Sequence, residues 1–308
     1  MENANNFCNY AVTIEDWYAV FKSKDLKRGT SRALNIAKQQ LLVRRNKDGS
    51  VIAVQRYCPH MGTDLLLAKE TQSKLQCPFH GLEFNPNGEC VQTCAKTSNF
   101  NLRTYITAEK FGFIFVYIGE GPPKRELPDL NLDNGMTIYS PTQKINCHPH
   151  MVLCNGLDSV HTKFVHSWDS FDYDVTMHDT NVIAKLRGEY KAWWMRFLNF
   201  TYKKPLEFTF TTYGSSIAIA DVQWNRTRLV ILFTAYLDGT VSYTNTGLYL
   251  SSYNPIRWIR GAIVTFSILW QDAKIMNSMN IKQNFTKEDA GVIMYRDVLN
   301  SMSLYSVR

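Results

Sequence analysis

The segment CPHMGTDLLLAKETQSKLQCPFHG, Cys58 to Gly81, holds two cysteines and two histidines in an order that sets the reading of the chain. Cys58 and His60 stand two apart, Cys77 and His80 three apart, and sixteen residues separate CPH from CPFHG. Pro59 and Pro78 stiffen each pair into a tight turn, which presents two side chains to one point. Thiolates suit zinc or iron–sulfur clusters, and replacing two thiolates by imidazoles on one iron raises a cluster's potential. Zinc modules more often pair Cys with Cys and His with His, whereas each short motif here supplies one of each.

Around this segment the first 120 residues read as short strands punctuated by turns: ALNIA, QQLLVRR, the hairpin turn NKDGS, VIAVQRYC, EFNPNGECV and FGFIFVYIGE. That pattern is a small all-β module. GEGPPKRELPDLNLDNG then mixes Pro, Gly and charge without periodicity and marks a connection, placing the domain boundary near residues 121–135 and the two domains at 1–125 and 126–308. Beyond it, LEFTFTTYGSSIAIADVQW, RLVILFTAYL and TVSYTNTGLYLSS read as strands, while LCNGLDSVHTKFVHSW and the tail from Ile268 to Leu304 read as helix. The expected class is α+β: an all-β domain followed by an antiparallel sheet covered by helices. No internal repeat, low-complexity tract, GxGxxG or P-loop pattern is present.

At 308 residues and 45% apolar, the chain can bury the cores of two domains. Its formal charge of +7 is scattered, with short runs such as KSKDLKR and VRRNK, which reads as a solvated surface and not as a nucleic-acid footprint. Seven cysteines are too few for a disulfide framework, and MENANNFCNYAV lacks the basic start and apolar run of a signal peptide, so a reducing cytoplasm is expected. In WIRGAIVTFSILW the uninterrupted apolar part, Gly261 to Trp270, is ten residues, short of the roughly 20 that span a bilayer. No transmembrane span is expected; the run reads as a buried strand or core helix, with a pocket wall or membrane-facing surface as the other use.

CPH followed by CPFHG resembles the Rieske signature, and the first module is similar to a Rieske [2Fe–2S] domain. The resemblance implies that Cys58 and Cys77 bind one iron of the cluster and His60 and His80 the other. A second constellation lies in NGLDSVHTKFVHSW: Asn155, Asp158, His161 and His166. On a helix Asp158 and His161 share a face, while His166 reaches that face only if the helix is distorted or ends there. Two imidazoles and one carboxylate on one face of an iron leave positions open for oxygen. The spacing D-x2-H-x4-H resembles the mononuclear-iron motif of the Rieske non-haem iron oxygenases. In that family the third ligand is an aspartate on a late helix, which points to Asp272 of WQD, against helix-capping duty for that residue and against Asp169, Asp172, Asp174 and Asp289 as rivals.

The resemblance covers nearly the whole chain. It implies that Asp158 bridges a mononuclear-iron histidine, His161, and the cluster histidine His80 of a neighbouring subunit. Asn155, three residues before Asp158, is spaced as in homotrimeric monooxygenase and demethylase members. Cys154 stands where many relatives carry an acidic residue, which leaves the subfamily open. His148 and His150 read as structural or pocket-lining, His178 carries no signal, and Cys8, Cys90, Cys94, Cys147 and Cys154 read as buried thiols.

The implied activity uses O2 as cosubstrate, the [2Fe–2S] cluster and a mononuclear Fe(II). The chain has no nicotinamide or flavin motif, so NAD(P)H would deliver electrons through a separate flavin reductase, with or without a ferredoxin. The basic balance suits an acidic donor. Aromatic density in EYKAWWMRFLNFTY and LEFTFTTY suits an apolar substrate of aromatic, terpenoid, steroid or alkaloid-like character. Hydroxylation or oxidative demethylation is the expected outcome, with ring cis-dihydroxylation or desaturation as the alternative. A Rieske protein that only transfers electrons would need the first 120 residues alone, and DSVHTKFVH argues against it.

Overall fold

Phe113–Ile118, FIFVYI, is buried at all six positions. A strand covered on both faces needs such a continuous apolar run, where a half-covered one alternates. The computed structural model describes residues 5–72, 74–92, 100–132, 135–190, 206–224 and 227–306. The chain divides into two compact units.

The first unit is Glu15–Glu126 with the segment from Tyr305. Its buried strand, β11, pairs antiparallel with β1 (Asp16–Lys22) and β10 (Thr107–Lys110). A second sheet orders β2 (Thr30–Ile36), β3 (Gln39–Arg45), β4 (Val51–Gln55) and β9 (Thr104–Tyr105). A third orders β5 (Lys69–Thr71), β6 (Lys74–Gln76), β7 (Glu83–Phe84) and β8 (Cys90–Gln92). Cys58 lies just beyond β4 and Cys77 just beyond β6, and both join a core of Leu42, Val54, Leu65, Leu75, Leu82, Phe84 and Leu102.

The second unit is the chain up to Ile14 together with Leu127–Leu304. Among the described residues its sheet runs, in spatial order, β12 (Met136–Tyr139), β19 (Val241–Leu250), β18 (Thr227–Asp238), β17 (Ile217–Trp224), β16 (Leu206–Tyr213), β15 (Asn181–Tyr190) and β14 (Trp168–His178), with β13 (Gln143–Ile145) also paired to β19. Antiparallel register places Val175, Ala184, Phe210, Ala220, Ile231 and Leu248 in one row across six strands. Large and small side chains along that row make the apolar face on which the helices pack. These are α1 (Pro149–Cys154), α2 (Ser159–His166), α3 (Pro255–Met276) and α4 (Ala290–Ser301). α1 covers β17 to β19, and α4 covers β14 and β15.

Three details differ from the sequence reading. Residues up to Ile14 belong with the second unit: Phe7, 0% exposed, packs its ring 6.4 Å from Tyr295 and 5.8 Å from Phe285, and Asn6 Nδ2 donates to Leu299 O at 3.0 Å. A short terminal segment carries no periodicity of its own, and long-range packing alone decides its partner. WIRGAIVTFSILW is neither a strand nor a core helix; it is the middle of α3, which starts at Pro255 behind an Asn254 cap and keeps an exposed face, and the tail is not helical between Met276 and Lys287.

Asp16, 0% exposed, accepts from Trp17 N at 2.6 Å and from Arg125 Nε at 2.8 Å, while Trp17 Nε1 donates to Arg125 O at 2.9 Å. This knot ties the start of β1 to the chain leaving the unit. Asp16→Ala strips a partly buried guanidinium of its counter-charge and Trp17 N of its acceptor, and is expected to cost about 3 kcal/mol. A urea melt followed by tryptophan fluorescence checks it, and Asp16→Ala/Arg125→Ala should cost less than the two single changes summed.

Candidate metal centres

CPHMG and CPFHG fold into the same turn. Gly62 N donates to Cys58 O at 2.9 Å and Gly81 N to Cys77 O at 3.0 Å, while Cys58 N donates to Thr63 O and Cys77 N to Leu82 O. The closing glycines have φ of +74° and +71°, and a Cβ on either would meet nothing, so backbone conformation and not space requires them. The repeat leaves both thiols buried and both imidazoles exposed. The His60 and His80 rings lie 4.7 Å apart, with Phe100 5.0 Å from His60 and Phe79 4.0 Å from His80. Burial, with the Cys77 thiol beside it, pushes the Cys58 thiol up. Two thiols on the protein side and two imidazoles on the outer side are a donor set that could hold an iron–sulfur cluster with mixed ligands.

The second centre is built by α2 and α3. Asp158 is the N-cap of α2, and its Oδ1 accepts from His161 N at 2.8 Å. α2 ends at His166 because Ser167 turns left-handed at φ +54°. That termination brings His166 round to the His161 side, with ring centroids 5.0 Å apart. Asp272, deep in α3, places Oδ1 3.2 Å from His161 Nε2 and 3.0 Å from His166 Nε2. One donor atom from each of the three residues lies within 4.8 Å of the others. Burial alone would raise Asp272, but its bonds to both imidazoles outweigh that and hold its carboxyl below the usual range. For His166 burial lowers, and the bond and charge of Asp272 more than restore it, so the imidazole sits above its ordinary value. An ionised carboxylate facing two imidazole nitrogens could hold a divalent metal and leave coordination positions open.

The cavity beside this cluster is apolar: Leu206, Phe208, Phe210, Ile231, Phe233 and Met276 line it. Asn155 lies on its wall with Nδ2 4.0 Å from Met276 Sδ. Thr244 and Thr246 share the cavity face of β19 with their partners Ala235 and Phe233 on β18.

The other candidates fall elsewhere. Asp172 and Asp174 are exposed on β14, Asp289 closes a capping box with Thr286, and the side chain of Asp169 lies outside the described residues. His148 caps α1, accepting from His150 N at 3.3 Å; both imidazoles are buried and line no part of the cavity, and burial pulls His148 down to about 4. His178 is exposed beside Asp179. Cys147 and Cys154 are buried, Cys8 and Cys90 only half-buried, and Cys94 lies outside the described residues.

Two residues were missed in the sequence. Gln271 Oε1 lies 3.0 Å from His166 Nδ1 and orients that ring; its adjacency to Asp272 in WQD was the available signal. Gly156 sits against the Phe210 ring, where a Cβ would come within 2.2 Å of the ring carbons.

Residues 16–106 match the model of the Rieske [2Fe-2S] domain. Chlorophyllide a oxygenase of Oryza sativa subsp. japonica is 31% identical over 153 residues, 49% of this chain and 28% of that protein. Cholesterol 7-desaturase nvd of Drosophila melanogaster is 24% identical over 315 residues, covering 91% of this chain and 72% of that one. Residues 16–106 thus form a Rieske [2Fe–2S] domain, in a chain similar to Rieske non-haem iron oxygenases. The chain shares its fold with dicamba monooxygenase bound to dicamba, at a TM-score of 0.76 and 16% identity over 94% of this chain and 97% of that one. It spans less than a third of the rice relative's length.

Because the Phe210 ring also lines the cavity, Gly156→Ala is expected to overpack this wall by about 1–3 kcal/mol. A fall of several degrees in Tm by differential scanning fluorimetry checks it, and because Gly156 has no left-handed φ the fall reads packing alone.

Proposed function

We propose that the chain is a terminal oxygenase that uses O2 and externally supplied electrons to hydroxylate or oxidatively demethylate an apolar small molecule. One observation carries this: the carboxylate of Asp272 and the imidazoles of His161 and His166 converge at the edge of an apolar cavity. Those three residues would hold a mononuclear Fe(II), and Cys58, His60, Cys77 and His80 would hold a [2Fe–2S] cluster. When bound, the two groups supply O2 activation and one-electron transfer. The protein orients the groups: Gln271 fixes His166, the Asp158 cap fixes the start of α2, and the phenylalanines keep water from the reacting carbon. Thr244 and Thr246 offer hydrogen bonds to one oxygen of an otherwise apolar aromatic, terpenoid, steroid or alkaloid-like substrate.

Electrons come from NAD(P)H through a flavin reductase, directly or by way of a ferredoxin, in the cytoplasm. We assign a homotrimer, in which Asp158 links His161 to the cluster histidine of a neighbouring copy. Only one oxygen of Asp158 is used by the helix cap among the described residues. Desaturation is the second reading, favoured by the alignment with a cholesterol 7-desaturase over 91% of this chain. Incubating protein, reductase pair, NADH and O2 with apolar candidates and reading product masses separates the outcomes. Added oxygen means hydroxylation, a lost methyl demethylation, lost hydrogen desaturation, and addition of both oxygens dihydroxylation. No product from any candidate with a loaded, reducible protein would overturn the oxygenase reading.

Dithionite reduction is expected to give the low average g-value EPR signal of a histidine-ligated cluster. Asp272→Ala should leave that signal intact while iron falls from about three to about two per chain, two for the cluster and one for the other site. Asp158→Ala should keep a reducible cluster and substantial mononuclear iron yet lose nearly all turnover. Stopped-flow reoxidation of the pre-reduced cluster on mixing with substrate and O2 tests this, and a wild-type rate would remove Asp158 from the electron path.

A further inference from the structure

Helix α3 has two unlike faces. Ile268, Leu269, Asp272 and Met276 line the cavity on one. On the other, Ile256, Ile259, Ile263 and Trp270 are 60%, 53%, 44% and 66% exposed. Their spacing of three, four and seven residues stacks them into a single stripe. Trp258, Phe266 and Ile259 line a shallow groove on that side, and Tyr253, also exposed, leads into the helix. Apolar residues exposed singly are ordinary, whereas a contiguous row on one helix marks a surface that is covered in use.

The charges around the stripe say by what. From Ser251 to Phe285 the sole acidic residue is Asp272, which faces inward, whereas Arg257, Arg260, Lys274 and Lys282 are basic. The Lys274 ammonium lies 5.8 Å from the Trp270 ring centre, at the border of the stripe. An apolar stripe with tryptophan, on a segment whose other charges besides the inward Asp272 are all basic, complements an anionic lipid surface.

We propose that the outer face of α3 docks on an anionic bilayer, with the helix lying in the interface and Ile256, Ile259, Ile263 and Trp270 entering the headgroup–acyl boundary. No helix among the described residues is long and apolar enough to cross, and four charged residues along α3 keep it on the surface. A two-fold contact between copies of this face would set Arg257, Arg260 and Lys274 against themselves, which disfavours that occupant. Docking puts the helix that walls the cavity against the phase in which an apolar substrate dissolves. This last consequence rests on the proposed oxygenase reading; the docking does not.

The full-length, metal-loaded protein is floated with phosphatidylcholine vesicles, with and without phosphatidylglycerol. It should rise with the anionic vesicles and not with the neutral ones, and added salt should weaken recovery. Ile259→Asp/Ile263→Asp should lower partitioning roughly tenfold or more, with cluster spectrum and oligomer size by light scattering unchanged. Arg260→Gln/Lys282→Gln, which leaves the stripe intact, should weaken anionic binding alone and covers the case in which the aspartate variant misfolds. The proposal falls if neither vesicle recruits the protein, or if the aspartate variant floats as well as the wild type. It also falls if that variant dissociates into smaller oligomers, which would make the face a contact between copies. It falls too if the stripe variants lose capture by an acidic ferredoxin while vesicle binding stays. Vesicle binding needs no turnover, so a failed activity screen and a failed docking test are read separately.

Discussion

A single carboxylate oxygen, Asp272 Oδ1, stands 3.2 Å from one imidazole nitrogen and 3.0 Å from another, and the second unit is arranged around keeping it there. A partly buried anion needs such partners. Three local devices supply them: the Asp158 cap that starts α2, the left-handed Ser167 that ends it at His166, and the long α3 that carries Asp272 inward near its end. Between them they bring together atoms contributed by helices more than a hundred residues apart in the chain.

The sheet gives those helices a fixed floor. Ala184 and Ala220 flank Phe210 along the row that crosses β15, β16 and β17, so the ring stands proud between small neighbours. The absence of a side chain at Gly156 lets the connection between α1 and α2 settle directly on that ring. Packing and site are therefore one structure: the same phenylalanine supports the backbone before Asp158 and faces the cavity.

The first unit solves a different problem by repetition. Two turns with the same hydrogen bonds and the same left-handed glycine bury both cysteines, and shifting the histidine by one position between them still brings the two rings within 4.7 Å. Thiols joined to the core and imidazoles at the outer surface give a donor set with an inside and an outside.

What the residues determined by themselves was local. CPHMG and CPFHG specify their turns through proline, glycine and spacing, and the buried run FIFVYI specifies a covered strand. NGLDSVHTKFVHSW already implied that α2 must distort or end if His166 is to meet His161, because five residues overshoot a helical face. Asp272 could be named only by resemblance, since an aspartate in a helix looks the same whether it caps, faces water or faces a metal; its place beside His161 and His166 was decided by where α3 lies. The tertiary structure alone sent the segment ending at Ile14 to the second unit through Phe7, placed Gln271 on His166, set Gly156 against Phe210, and turned the Ile256 to Trp270 stripe outward. Each of these depends on contacts between distant segments, and a sequence records the chemistry of a side chain but not which distant surface the fold will bring to it.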